Sequence, residues 1–252
     1  MAVGAAAGGI ALGNSQRAGL TAAGALSLAR ALPEPPKPAF TPGRPRLLTA
    51  AKVSLWAPVM HATVARRQPN ADAAPVATLA TETPEGTTNL VVIVDQRRVD
   101  RRLWLRVRLP VLPNNTLAWV PRTALGGYQF VHMHLVVDLE RLSATLFQDG
   151  RAVFSAPVGV GRTYWPTPKG EFYVRDELRG YASPFYGPLA FGTSARSAVL
   201  TDWPNGGFVG IHGTDEPQLI PGRISHGCIR LRNADILQLS RLMPIGTPVT
   251  IR

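Results

Sequence analysis

A single cysteine, Cys228, occurs in 252 residues, so the chain cannot close an internal disulfide. Acidic residues are also scarce. Sixteen Asp and Glu stand against 27 Lys and Arg, a formal net charge of +11, which implies an anionic polymer or surface as partner. Long apolar runs are missing, so no segment qualifies as a membrane-spanning helix. No nucleic-acid-binding signature accompanies the arginines, which sets nucleic acid aside as that partner. Helical periodicity is rare too. What is abundant is glycine (24) and proline (23), set between short apolar runs, and this predicts a turn-rich, mainly β protein.

The charge is unevenly spread. Residues 1–130 carry 15 basic and 6 acidic side chains; residues 131–252 carry 12 and 10. The densest cluster is Arg97, Arg98, Arg101, Arg102, Arg106 and Arg108. From Leu103 to Leu109 the residues alternate, with Leu103, Leu105, Val107 and Leu109 on one face and Trp104, Arg106 and Arg108 on the other. That pattern predicts a half-buried strand with a basic outer face, and simple solvation of the surface is the plain alternative.

Three regions follow from composition. Residues 1–46 read as an unstructured leader. Arg17, a weakly apolar run from Ala18 to Leu28, Ala29-Arg30-Ala31 and the prolines from Pro33 onward resemble a signal peptide and linker, hence an exported protein. Residues 47–127 hold short strand-like runs, and their spacing resembles a small bacterial SH3-like β domain. Gly126-Gly127 reads as a hinge. Residues 131–252 read as a second β domain: strands over 134–139, 142–148, 152–160, 171–176, 208–211 and 249–251, with an Asp149-Gly150 hairpin turn. Its one convincing helix is capped by Asn233 and stopped by Pro244 and Gly246.

Chemistry concentrates in Ser225-His226-Gly227-Cys228-Ile229-Arg230-Leu231, with Ile211-His212-Gly213-Thr214 upstream. A free thiol is mostly protonated at neutral pH and needs a base to become a nucleophile. His226 shares the Cys228 face of an extended segment, and His212 approaches from another. Gly227 leaves room for a substrate carbonyl, so the amides of Gly227 and Cys228 are candidate oxyanion donors. Arg230 is a candidate two-pronged clamp for a substrate carboxylate. Two plainer readings stand beside this one. Cys228 packs as an ordinary buried thiol, or it joins His212 and His226 in a zinc site, with His132 and His134 as further ligands.

The two motifs together resemble the YkuD-type L,D-transpeptidase family. The segment Gly161–Phe172, with Thr167-Pro168-Lys169-Gly170-Glu171-Phe172, resembles that family's Thr-Pro-x-Gly-x-Phe segment in the expected order. The resemblance covers about residues 131–252. It implies a β-sandwich-like catalytic domain with one late helix and no cofactor or metal. It also implies a Cys228 thioester formed from a peptidoglycan tetrapeptide stem. D-alanine would leave, and an amine would take the acyl group to give a 3→3 cross-link or an anchored protein. With water as acceptor the protein would be an L,D-carboxypeptidase; without catalysis, a wall-binding protein. By the same resemblance His212 is the acid/base, the Gly213 carbonyl orients it, and His226 and Gly227 line the nucleophile. Ser225 shapes the turn, and Tyr186 and Trp203 line the cleft. Carbapenem-type β-lactams are the implied covalent inhibitors, and anionic wall polymers the implied partners of the basic half. Many relatives carry Asn at the Arg230 position, a departure that bears on substrate preference.

Overall fold

The computed structural model describes residues 53–180, 183–201 and 207–252. The leader, its signal-peptide-like segment and Trp203 lie outside the described residues. The fold is mainly β.

The first sheet holds β1 (Ser54–Pro58), β2 (Thr63–Arg66), β3 (Pro75–Leu79), β4 (Leu90–Val99), β5 (Arg102–Arg108), β6 (Leu117–Pro121) and β7 (Gln129–Val131). They pair antiparallel in the order β3-β2-β6-β5-β4-β1-β7. Alternation in β5 delivers Leu105, Val107 and Leu109 to the core and leaves Arg106 exposed. Trp104 keeps to the face with the arginines but is covered there. It is only 5% exposed, because its large apolar ring is drawn down into a groove between arginine side chains. Gly126 is held to β1: its N–H donates to the Pro58 carbonyl at 2.8 Å, and a Cβ there would come within 2.8 Å of the Pro58 ring. The chain then stays in this sheet through β7, where Val131 pairs with Ser54.

The second sheet comprises β8 (Met133–Asp138), β9 (Ser143–Gln148), β10 (Arg151–Pro157), β11 (Gly159–Gly161), β12 (Gly170–Arg179), β13 (Leu189–Arg196), β14 (Phe208–His212), β15 (Gly222–Ser225), β16 (Ile229–Arg230) and β17 (Pro248–Ile251). Their order is β10-β9-β8-β17-β12-β13-β14-β16-β11-β15. The β9–β10 hairpin turns at Asp149 and Gly150, both at positive φ (50° and 83°), the geometry a tight primed turn requires. Strand β12 joins two halves. Its Gly170–Tyr173 stretch pairs with β17, and its Val174–Arg179 stretch pairs with β13. Leu135, Leu146 and Phe154 from one half and Phe191, Ile211 and Ile229 from the other bury into one core. Two halves sharing a core give the layered, sandwich-like arrangement.

Helix α1 (Asn233–Ser240) closes that core with Ile236 and Leu239. Asn233 is not its cap. Arg232 occupies the cap position without a side-chain bond, and Asn233, the first helical residue, turns its side chain elsewhere.

The two sheets are joined by buried contacts. Tyr173, fully buried, packs with Leu90, Val92 and Val94, and its hydroxyl donates to the Leu90 carbonyl at 3.2 Å. Asn114 exchanges two hydrogen bonds with the Arg196 backbone. Arg175 pairs with Glu85 at 3.1 Å.

Candidate active site

Strands β14 and β16 run parallel, with Ile211 opposite Ile229 and His212 opposite Arg230. This register sets Gly210 level with Cys228. The Gly210 N–H donates to Cys228 Sγ at 3.4 Å. His212 follows Gly210 on the same face of β14, since side chains repeat every second residue. A methyl placed on Gly210 would sit 3.9 Å from Cys228 Sγ and 3.8 Å from His212 Cδ2. The thiol and the imidazole therefore flank one vacant position that glycine keeps open.

The imidazole is oriented by its other edge. His212 Nδ1 lies 2.6 Å from the Gly213 carbonyl oxygen. A carbonyl only accepts, so Nδ1 carries the proton and Nε2, beside Cδ2, keeps a lone pair. Burial pushes the His212 pKa down to about 4, against the Gly213 carbonyl, which raises it, and with the Arg230 charge, which lowers it further. The ring is thus neutral at neutral pH, with Nε2 free to accept a proton. Burial also pushes the Cys228 thiol up, partly offset by the Gly210 N–H and by Arg230. The resting pair is a neutral thiol and a neutral imidazole.

The nucleophile loop is held from within. Ser225 Oγ donates to the Cys228 carbonyl at 2.6 Å and accepts the Gly227 N–H at 3.1 Å. Ser225 thus spends its hydroxyl on the turn. The Gly227 amide is spent too, which corrects its reading as an oxyanion donor and leaves the Cys228 amide as the motif's candidate. Gly227 adopts φ of +117°, a conformation that suits glycine. His226 lines the Cys228 cavity and stacks on Trp165 with centroids 4.2 Å apart. Tyr186 lines it as well, edge-on to His212 at 4.9 Å. Burial pushes the Tyr186 hydroxyl pKa up, with Cys228 adding to the rise and Arg230 opposing it.

Arg230 lines the cavity but is not a free clamp. Its Nη1 donates to Glu216 at 3.0 Å, and its guanidinium lies 4.3 Å over the Phe185 ring. Only 3% of the residue is exposed. Glu216 engages Nη1, while the buried Nε has no hydrogen-bond partner. Arg230 acts here as a fixed positive charge beside the thiol.

His132 and His134 are not brought to Cys228. His132 pairs with Asp149 at 2.9 Å, and His134 bonds Thr250 at 2.8 Å. Among the described residues, no group of three or more His, Cys, Asp or Glu is placed to hold a metal.

Residues 132–251 match the YkuD family, described as the L,D-transpeptidase catalytic domain. This half of the molecule is similar to a YkuD-type domain. The putative L,D-transpeptidase YkuD of Bacillus subtilis (strain 168) is 34% identical over 118 residues. That match spans 47% of this chain and 65% of the relative's length. The catalytic domain of an E. faecium L,D-transpeptidase is 26% identical, with a TM-score of 0.36, over 48% of this chain and 96% of that one. An Ldtfm–avibactam carbamoyl enzyme is 29% identical, with a TM-score of 0.37, over 48% of each chain.

Two residues positioned behind the site carry no signal that spacing alone reveals. Thr167, 4% exposed, donates from Oγ1 to the Gly227 carbonyl at 2.8 Å and accepts the Gly161 N–H at 2.9 Å. A trans peptide points its C=O and N–H in opposite directions, so holding the Gly227 carbonyl also aims the Cys228 N–H. Asn233 does the same at the base. Its Oδ1 accepts the Thr214 N–H at 2.9 Å, and the carbonyl of that same peptide is the Gly213 oxygen that His212 grips. One peptide at the nucleophile and one at the base are each pinned from a distant element.

Proposed function

We propose that the YkuD-like domain is a peptidoglycan L,D-transpeptidase working by cysteine acyl transfer. The placement of Cys228 and His212 on either side of the Gly210 position, with the imidazole tautomer fixed by Gly213, is the observation that carries this reading. Cys228 Sγ attacks the carbonyl between the third residue of a tetrapeptide stem and its terminal D-alanine. His212 Nε2 takes the thiol proton as the S–C bond forms and returns it to the leaving amine as the C–N bond breaks. D-Alanine departs and a thioester remains. An acceptor amine then attacks the thioester, His212 removes its proton, and the thiol is regenerated. Because the resting pair is neutral, proton transfer accompanies attack and no preformed thiolate is required. The Cys228 N–H, aimed by Thr167, is the motif's donor to the developing oxyanion. Substrate, acceptor and an exported location belong to this same proposal.

Incubation of the full chain with tetrapeptide-stem muropeptides should release D-alanine and form a 3→3 dimer by mass spectrometry, with both products lost in Cys228→Ala. D-Alanine release without a dimer at any amine concentration would make the protein a carboxypeptidase. Neither product, together with no covalent labelling by a carbapenem, would leave a non-catalytic wall-binding protein and overturn the proposal.

A further inference from the structure

The β4–β5 hairpin ends at Asp100 and Arg101, both at positive φ (47° and 64°). Aspartate tolerates this region. Arginine there costs roughly 1–2 kcal/mol, and glycine is the ordinary choice for such a turn. Residues held in such conformations cluster at ligand clamps and other functional sites. Arg101 lines a groove of about 850 Å³ together with Arg66, Arg98, Arg102 and Arg122, beside Trp104. No Asp or Glu lines that groove. Among the described residues none of the five arginines forms an ion pair.

The groove is also organised before any ligand arrives. Arg66 Nη1 donates to the Ala73 carbonyl at 2.7 Å. Arg122 Nη1 donates to the Leu125 carbonyl, and its guanidinium lies 4.6 Å over the Tyr128 ring. These bonds orient two guanidiniums by one nitrogen each and leave their other N–H groups for a ligand. Five like charges around one concavity repel one another and focus a positive potential into it. Guanidinium forks match oxyanions on phosphate or carboxylate groups.

We propose that this groove binds an anionic polymer of the bacterial wall through repeated phosphate or carboxylate groups and so holds the catalytic domain against its substrate. The word wall rests on the transpeptidase reading; the affinity for a polyanion does not. Polyol phosphate chains and the carboxylates of peptidoglycan itself present the same chemistry from two sources.

The test compares the full chain with an Arg98→Gln/Arg101→Gln/Arg102→Gln variant. A control variant, Arg141→Gln/Arg151→Gln/Arg241→Gln, loses the same charge outside the groove. Each is titrated with poly(glycerol phosphate), with phosphate-free peptidoglycan and with duplex DNA, at low and moderate salt. The wild type should bind at least one wall polymer. The groove variant should lose at least tenfold in affinity and show a flatter salt dependence, and the control should stay within about twofold. The polymer that responds identifies the source. Binding of neither polymer, equal losses in both variants, or tighter binding to DNA than to either wall polymer would overturn the proposal. Turnover of soluble stem peptides should be equal in all three proteins, so a failed groove is distinguishable from a failed enzyme.

Discussion

Two phenylalanines, Phe185 and Phe208, line the Cys228 cavity, and each is backed by a buried arginine. Arg230 lies 4.3 Å over Phe185 and pairs with Glu216 at 3.0 Å; Arg175 lies 3.9 Å over Phe208 and pairs with Glu85 at 3.1 Å. The local chemistry is nearly the same, but the settings differ. Glu216 is 46% exposed, so water shares its charge. Glu85 is 12% exposed and lies in the loop between β3 and β4, so Arg175 depends on a segment of the first sheet's region for its only ion pair among the described residues. Arg230 biases the titration of Cys228 and His212. Arg175 ties one aromatic wall of the cavity to the β3–β4 loop. One device sets the electrostatics at one wall and anchors the β3–β4 loop at the other.

The same substitution at the two carboxylates breaks this comparison most sharply. Glu85→Gln strands a buried guanidinium whose Nε and Nη1 already lack partners, and should cost about 3–5 kcal/mol of unfolding free energy. Glu216→Gln should cost about 1 kcal/mol or less, because solvent reaches that side. Denaturant titration of both variants measures the gap, and equal losses would mean the two settings are energetically alike.

Acid should expose the next difference. The folded His212 pKa, about 4, lies below its unfolded value near 6.5. Between those values the unfolded chain binds more protons, so stability rises with pH across the window and is lost as pH falls from about 6.5 to 4. The loss is of order 3 kcal/mol. Unfolding measured along that window should show the slope in the wild type and a flatter one in His212→Gln.

Arg230→Met should slow carbapenem acylation of Cys228 about tenfold at pH 7, since the thiol loses the charge that restrains its pKa. The deficit should close at alkaline pH, where the thiolate forms unaided. Arg175→Met, in the fraction that remains folded, should acylate at the wild-type rate. A deficit in both variants would erase the division of labour.

A smaller effect is expected at the base. Asn233→Ala frees the 213–214 peptide and should reduce kcat several-fold with KM unchanged. A change confined to KM would remove Asn233 from the positioning of His212.

What was legible from sequence lies within single strands or turns. The alternation of β5, the Asp149–Gly150 turn and the run of β14 into His212 each depend on neighbours a few residues apart. The Cys228 heptapeptide is legible for the same reason. Strand β13 was missed because Leu189–Arg196 mixes glycine, threonine and serine among its apolar residues, yet is buried almost throughout. Asn233 was misread as a cap because a cap is the local use of asparagine before a helix, whereas its actual partner, Thr214, lies 19 residues back. Thr167 meets Gly227 across 60 residues and Arg175 meets Glu85 across 90. Such pairs are made by the sheet order, which no local pattern specifies. Trp104 shows the limit of alternation: period two places a side chain on a face but does not say what covers that face.

The most direct test is the intact mass of the full chain mixed with a tetrapeptide stem and no amine acceptor. Attack by Cys228 predicts free D-alanine and a protein heavier by the acyl tripeptide stem, with the addition mapped to Cys228 and absent from Cys228→Ala and His212→Gln. An unmodified protein beside an intact stem, or the same adduct in Cys228→Ala, would contradict the assignment of Cys228 as the nucleophile and His212 as its base.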